Sequence, residues 1–432
     1  MASSPPTLSK APACRRPSHH EPTRDAQTLR LPRSPLKGYD HTVATDPVSH
    51  RRVPVVSRHA AAIVGVGSTA QGELPGMSAN EIAVQAVALA LADASLTKHD
   101  VDGLITCRNL GTRDGIDEQL GQLLGLNPKY SATLDYGTGN FSLHLGVMAI
   151  MAGFAETIVL TYGTNQRSRG ANFAIAMGGG ADLATIAGLV HVAGPAAMAF
   201  RRHQHLYGTT EEQLGGVAVA QREWAQRNPL AIFRQQLSID DYLAAPYLVE
   251  PLRRADLTMI SDGGAAIVLT TAERAHDSPN TSIYVAGMAE HAALRADANL
   301  DNLMRPWLAD VAERLWRSSG LGPADMDLLY IQDATSVWVL QMLESYGFCK
   351  TGEAGPFIAD GHTRPGGSLP VNTNGGQLSE SYLWGWLHLC EAVRQLRGDC
   401  GDRQVPYADT ALDCSSHDFL KGAASILTTH PR

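Results

Sequence analysis

Charge is scarce in this sequence, and so are aromatic rings: Asp, Glu, Lys and Arg make up 18% of the residues and Phe, Trp and Tyr 6%. The formal net charge of -8 leaves no basic surplus with which to hold nucleic acid or an anionic membrane. Long apolar runs are missing as well, none approaching the roughly 20 residues that span a bilayer. The six cysteines, at 14, 107, 349, 390, 400 and 414, form no Cys-x-x-Cys pair, and no His-Glu-x-x-His run occurs among the 16 histidines. Neither a zinc ribbon nor a secreted disulfide frame is indicated, no metal site is expected, and a reducing cytoplasm is the expected setting.

What is present is apolar and glycine-rich: 44% hydrophobic residues and 41 glycines in 432 positions, the profile of a compact α/β body or of two fused units. Residues 1–58 are rich in Arg, Pro, Ser and His without periodicity and read as a disordered tail. Order is expected from 60–67, an apolar first strand, followed by a helix over 79–94 opened by Ser78 and Glu81 as a capping box. The intervening Gly65-x-Gly67-x-x-Ala70 matches a dinucleotide fingerprint, but no helix begins where a phosphate would need one. Strands over 102–107, 132–135 and 157–162 alternate with helices over 117–124 and 141–153. The spacing loosens from about 163 to 256, which reads as an inserted loop domain holding one clear helix over 211–226, and a strand at 265–270 completes a first half, 59–277. A second half, 278–432, repeats the order with strands at 282–286, 326–331, 411–414 and 423–427 and helices at 303–318 and 337–346. Two successive β-α-β-α-β series predict a duplicated α/β fold.

The stretch 366–398, GGSLPVNTNGGQLSESYLWGWLHLCEAVRQLRG, joins a glycine-punctuated loop to an apolar helix that is expected from Tyr382 and is closed by Gly398. Asn372, Asn374, Gly375 and Gly376 suit tight backbone conformations, and Tyr382 stands where a polar group can face a ligand from a buried helix. A second glycine turn, Tyr136-Gly137-Thr138-Gly139, leads into the helix over 141–153 and would aim backbone amides at a common point.

Together with HLYGTTEEQLGGVAVAQREWAQRNP, DYLAAPYLVEPLRRADL, SDGGAAIVLTTAERA and LYIQDATSVWVLQMLESYGFCKTGE, these residues resemble the thiolase superfamily, in its sterol-carrier-type thiolases and their aldolase relatives. The resemblance covers about 60–428. It implies a thiolase-like, duplicated five-layered αβαβα fold, a homodimer through the core, and a coenzyme A thioester as substrate with no tightly bound cofactor. It also implies a small OB-fold, zinc-ribbon partner in a heterotetramer. The nucleophilic Cys turn of a thiolase falls on Tyr136-Gly137-Thr138-Gly139, its Gly-His-Pro loop on Ser381-Tyr382, its Asn-Glu or His-Asp loop on Gln332-Asp333, and its Cys-x-Gly loop on Cys414-Ser415-Ser416. Of these four loops only Asp333 and Cys414 keep a family-like side chain.

A thiolase carries an acyl group on cysteine, whereas a retro-aldol step on a β-hydroxyacyl-CoA releases a ketone or aldehyde and needs no acyl-enzyme. It needs a base for the hydroxyl, donors for the enolate and a proton for the carbanion carbon. The similar aldolases of steroid side-chain breakdown use a tyrosine in a Gly-Gly-Gln-Leu-Ser-Glu-x-Tyr motif, which implies that role for Tyr382. Their second tyrosine is replaced here by Gln332, which exchanges no proton at neutral pH, so Tyr136 is the candidate substitute. Asp333 is either part of the site or a cap on the next helix. Gly375, Gly376, Gly137 and Gly139 would shape the backbone around the thioester. The alternatives are a Claisen-type acyltransferase using Cys414 and a degenerate acyl-CoA-binding scaffold.

Overall fold

The computed structural model describes residues 60–109, 112–135, 138–171, 192–293, 303–417 and 421–431. The expected tail over 1–58 and the candidates Tyr136 and Gly137 lie outside the described residues. Eleven strands are described: β1 (Ala61–Ser68), β2 (Gly103–Cys107), β3 (Tyr130–Leu134), β4 (Thr157–Asn165), β5 (Tyr247–Val249), β6 (Leu252–Arg253), β7 (Asp262–Thr271), β8 (Ile283–Ala292), β9 (Leu328–Ile331), β10 (Thr410–His417) and β11 (Lys421–Thr428). The helices that matter here are α1 (Ala79–Asp93), α2 (Asp117–Leu124), α3 (Gly139–Met151), α4 (Ala193–Tyr207), α5 (Glu211–Ala225), α6 (Leu308–Ser319), α7 (Ser336–Ser345), α8 (Gly376–Ser379) and α9 (Trp386–Arg397). The expected capping boxes are both formed, Ser78 with Glu81 on α1 and Thr210 with Gln213 on α5.

Nine strands make one mixed sheet in the order β3-β2-β4-β7-β1-β8-β11-β10-β9, while β5 and β6 form a separate hairpin. The first five belong to the first half of the chain and the last four to the second. A short antiparallel pairing of β1 with β8, Ala62 with Tyr284 and Ile63 with Ile283, joins the halves. Strands such as β2, β4 and β7 are buried almost throughout, because helices cover both faces, so they read as continuous apolar runs rather than alternating ones.

Helices α3 and α9 touch strands of both halves. A helix that is apolar nearly all round belongs in a core, and α3, GNFSLHLGVMAIM, has that character. On the outer faces α1 packs on β1, β4 and β7, and α6 on β8 and β11. The succession α1, first-half strands, α3 with α9, second-half strands, α6 with α7 gives the five layers expected of a thiolase-like fold. No described helix is long and apolar enough to cross a membrane.

Two local outcomes differ from the sequence reading. The helix expected from Tyr382 begins only at Trp386, because Trp384 (φ 52°) and Gly385 (φ 80°) take left-handed conformations that no helix continues through. Tyr382 therefore sits in an irregular link between α8 and α9. The helix expected from 303 begins at Leu308, after Arg305 takes φ 56°.

Gly65 and Gly67, the discounted fingerprint, have a packing purpose: a Cβ on Gly67 would strike the Ala86 carbonyl of α1 and lie 2.5 Å from the Ala90 nitrogen. The Gly67→Val variant is expected to lose about 1–3 kcal/mol or more of stability, since backbone cannot yield as a side-chain tip can. A urea midpoint equal to wild type would show that α1 can retreat from β1.

Candidate active site

The loop after Val371 is fixed by three successive polar side chains. Asn372, at φ 52°, accepts the Ile331 N–H at 2.7 Å and donates to the Ile331 carbonyl at 3.0 Å, so its carboxamide pairs with the end of β9 as a strand residue would. Thr373 donates to Glu391 at 3.1 Å and shares a hydrogen bond with the Tyr330 hydroxyl at 2.8 Å. Asn374 reaches Glu380 and, at 3.1 Å, His388 Nδ1. Gly375 (φ 101°) and Gly376 (φ 66°) then turn the chain; a Cβ on Gly376 would strike Asp333 and lie 2.6 Å from Gln221 Oε1 on α5.

Asp333 receives that turn. Its fully buried carboxylate accepts the Gln377 N–H at 2.9 Å, the Leu378 N–H at 3.1 Å and His388 Nε2 at 3.0 Å. It is a cap, as the sequence allowed, but of α8 and not of α7, which Thr335 caps through Val337 at 3.1 Å. The His388 ring is held on both nitrogens, by Asp333 and Asn374.

Beneath this tier, β10 alternates. Asp413 and Ser415 face α3, where Asn140 bonds to Asp413 and, at 3.0 Å, to Ser415 Oγ, and Thr138 Oγ1 meets Ser415 Oγ at 3.0 Å. Cys414 lies on the opposite face, in the outer core with Leu412 and Tyr346. Burial and the charge of Asp413 push its thiol well up from the ordinary range, which leaves it protonated. The amide of Gly139, first residue of α3, is spent on the Trp384 carbonyl at 3.1 Å.

Tyr382 is 9% exposed, its ring 5.1 Å from that of Trp384, and its N–H reaches Ser261 Oγ at 3.4 Å. Gln332 sits at the end of β9: its N–H donates to the Cys414 carbonyl at 2.8 Å and its Oε1 accepts the Ser416 N–H at 3.1 Å. The structure thus gathers Asp333, Gln332, Gly375 and Gly376 with the Tyr382 link, and sets Cys414 on the far side of its strand.

Sequence reasoning passed over His388, Glu380, Asn140 and Asp413. His388 and Glu391 fall between the apolar positions of α9, where spacing assigns them no task, and both faces of α9 are buried. The signal available was the pair of asparagines in Asn372-Thr373-Asn374, too many hydrogen-bonding groups for a simple turn.

The charges of this layer constrain one another. Glu391 stays below the usual carboxylate range despite its burial because Arg403 grips it with two bonds, of 2.7 and 2.9 Å. Glu380 has no such cation; burial, then the charge of Glu391, lift it from 4.5 to about 7, against hydrogen bonds from Asn228 and Asn374. Burial lifts Asp413 from 3.8 to about 7, against the pull of His388. For His388, burial works against the charged form, but the hydrogen bond and charge of Asp333 outweigh it and raise the pKa.

All three shifts have the same sign: the native state holds the proton more tightly than the unfolded chain, so its advantage is lost as pH rises through the folded values. Between about pH 4 and about pH 7 the urea midpoint is expected to fall. Asp413→Asn and Glu380→Gln should each flatten that slope. An unchanged slope in both variants would mean that neither carboxyl carries a proton in the fold.

Residues 289–429 match the family described as Thiolase C-terminal domain-like. The steroid side-chain-cleaving aldolase of Thermomonospora curvata is 37% identical over 359 residues, which cover 78% of this chain and 90% of the relative. The 17-hydroxy-3-oxo-4-pregnene-20-carboxyl-CoA lyase of Mycobacterium tuberculosis is 36% identical over 359 residues, covering 78% of this chain and 92% of the relative. The solved Ltp2-ChsH2(DUF35) aldolase superposes with a TM-score of 0.78 at 33% identity, over 86% of this chain and 98% of that one. With the five-layered fold and the remade loops, these likenesses settle the family: the chain belongs to the thiolase superfamily, among its thiolase-like aldolases.

Proposed function

We propose that this protein is a carbon–carbon lyase that cleaves a β-hydroxyacyl-CoA by a retro-aldol step, or joins the same products in reverse. The observation that carries the reading is Tyr382, a nearly buried phenol on a link whose two ends are pinned, by Asp333 beneath α8 and by Gly385 ahead of α9. As a base it takes the proton of the β-hydroxyl. The Cα–Cβ bond then breaks, its electrons pass into the thioester as an enolate, the ketone or aldehyde departs, and a proton returned to Cα completes the acyl-CoA product.

The thiols support a route without an acyl-enzyme. Burial raises Cys107 to about 12 and Cys390 to about 11, and it carries Cys349, Cys400 and Cys414 upward too. None of the described cysteines is the ready thiolate that acyl transfer needs. Cys414, on the outer face of β10, is poorly placed for the acyltransferase alternative.

The names of the relatives favour a bulky, branched substrate of the steroid side-chain kind. The pairing of Ltp2 with a DUF35 protein favours a similar small partner, of OB-fold and zinc-ribbon type. Among the described residues strand β3 is an edge of the sheet, with exposed Met148 and Met151 on α3, Phe154 just beyond it, and Phe154 stacked on Tyr130 at 5.5 Å; this edge suits a second copy of the chain.

The test is release of ketone or aldehyde from a β-hydroxyacyl-CoA by the chain co-expressed with its DUF35-type partner. Tyr382→Phe is expected to lower kcat about 100-fold or more while the melting temperature holds. Near-normal cleavage by that variant would remove Tyr382 from the chemistry. Intact-mass spectra under turnover should show Cys414 unmodified, and an acyl adduct there would restore the transferase reading.

A further inference from the structure

Asn140 and His144, one turn apart, give the apolar helix α3 a polar stripe. Both are buried, and the stripe faces three strands of the second half, β8, β10 and β11. His144 Nε2 lies 2.9 Å from Ser425 Oγ, and Ser425 Oγ donates to Asn140 Oδ1 at 2.5 Å. Asn140 Nδ2 donates to the Asp413 carboxyl, to the Asp413 backbone carbonyl at 3.3 Å and to Ser415 Oγ at 3.0 Å. Thr138 Oγ1, 3.0 Å from Ser415 Oγ, closes the seam at the start of α3.

The directions follow from the groups that have no choice. A backbone carbonyl only accepts, so the Asp413 carbonyl turns the Asn140 NH₂ toward β10 and the amide oxygen toward Ser425. That oxygen takes the Ser425 hydrogen, and Ser425 in turn accepts from His144 Nε2. The other ring nitrogen, Nδ1, meets Glu290 Oε1 at 2.7 Å, a contact that needs a proton of its own. His144 and Glu290 therefore hold one proton more than a neutral ring beside an ionised carboxylate would.

What the seam seats is the first turn of α3. Gly139 N–H donates to the Trp384 carbonyl at 3.1 Å, and the N–H of that same peptide, at Gly385, donates to Gln377 Oε1 at 2.9 Å. One peptide is gripped at both ends, between two left-handed residues, Trp384 and Gly385. A tryptophan keeps such a conformation only where its surroundings impose it. Two residues before it stands Tyr382, with the rings 5.1 Å apart.

We infer that Asn140 and His144 are positioning residues for Tyr382. They set the register of α3 against the second half, Gly139 then fixes the Trp384 peptide, and the Trp384 ring gives the phenol its place. Apolar contacts alone do not set that register, because they are non-directional and let a helix slide or turn. Directed hydrogen bonds between buried groups admit one arrangement. The inference rests on the lyase reading and deepens it, by saying what holds the base.

The experiment follows cleavage of a β-hydroxyacyl-CoA by the full chain together with its DUF35-type partner. It reads the place of the phenol separately, from the fluorine NMR line of a fluorinated tyrosine incorporated at position 382. His144→Phe and Ser425→Ala are each expected to lower kcat about tenfold or more with KM within about twofold, and to move the fluorine line. His144→Gln, whose amide can still donate to Ser425, should recover most of the rate. Ser425→Ala removes a single oxygen atom and decides the matter where the larger change prevents folding. A kcat unchanged below the melting temperature, or a fluorine line that stays in place in Ser425→Ala, overturns the inference. If the line moves as expected but wild type cleaves no β-hydroxyacyl-CoA, the positioning stands and the lyase reading falls; cleavage with kcat and line untouched by both variants has the reverse meaning.

Discussion

One carboxylate holds the centre of this molecule together. Asp333 follows β9, caps α8 and fixes the first turn of α9 through His388, so three segments of the chain meet on two oxygen atoms. Buried at full depth, it is tolerable only because every donor it meets is itself held, two by the backbone of α8 and one by an imidazole clamped from the other side by Asn374. Gly376 belongs to the same constraint, since any side chain there would occupy the space of the Asp333 carboxylate.

Around this point the charges are arranged in graded fashion. Glu391 has a dedicated arginine and stays ionised, whereas burial makes Glu380 and Asp413 bind protons more tightly, the hydrogen bonds from asparagine offsetting it only in part. These groups titrate as a set, not singly, because His388 feels Asp333, Asp413 and Glu380 together. The tyrosine link above is therefore seated on a layer whose total charge responds to pH.

Most of the fold was legible in the sequence because its strands are short apolar runs and its helices open with recognisable caps, as at Ser78 and Thr210. The loops were legible as loops. What escaped was the content of α9: in a helix buried on every side, periodicity separates nothing, so His388 and Glu391 could not be told from surface residues. The late start of that helix escaped too, because Trp384 adopts a left-handed conformation that tertiary packing imposes and propensity does not forecast. Cys414 illustrates a further limit: alignment of a motif assigns a position, but only strand pleat decides which face the side chain serves.

The place of β1 in the sheet has a consequence for how the chain is made. It is the first described strand in sequence, yet its hydrogen-bonding neighbours are β7 and β8, about two hundred residues downstream. As the polypeptide leaves the ribosome, the Ala61–Ser68 segment waits with both edges open until nearly two thirds of the protein has emerged. Such distant pairing makes for slow assembly and a long exposure of an apolar strand, an interval in which aggregation competes with folding.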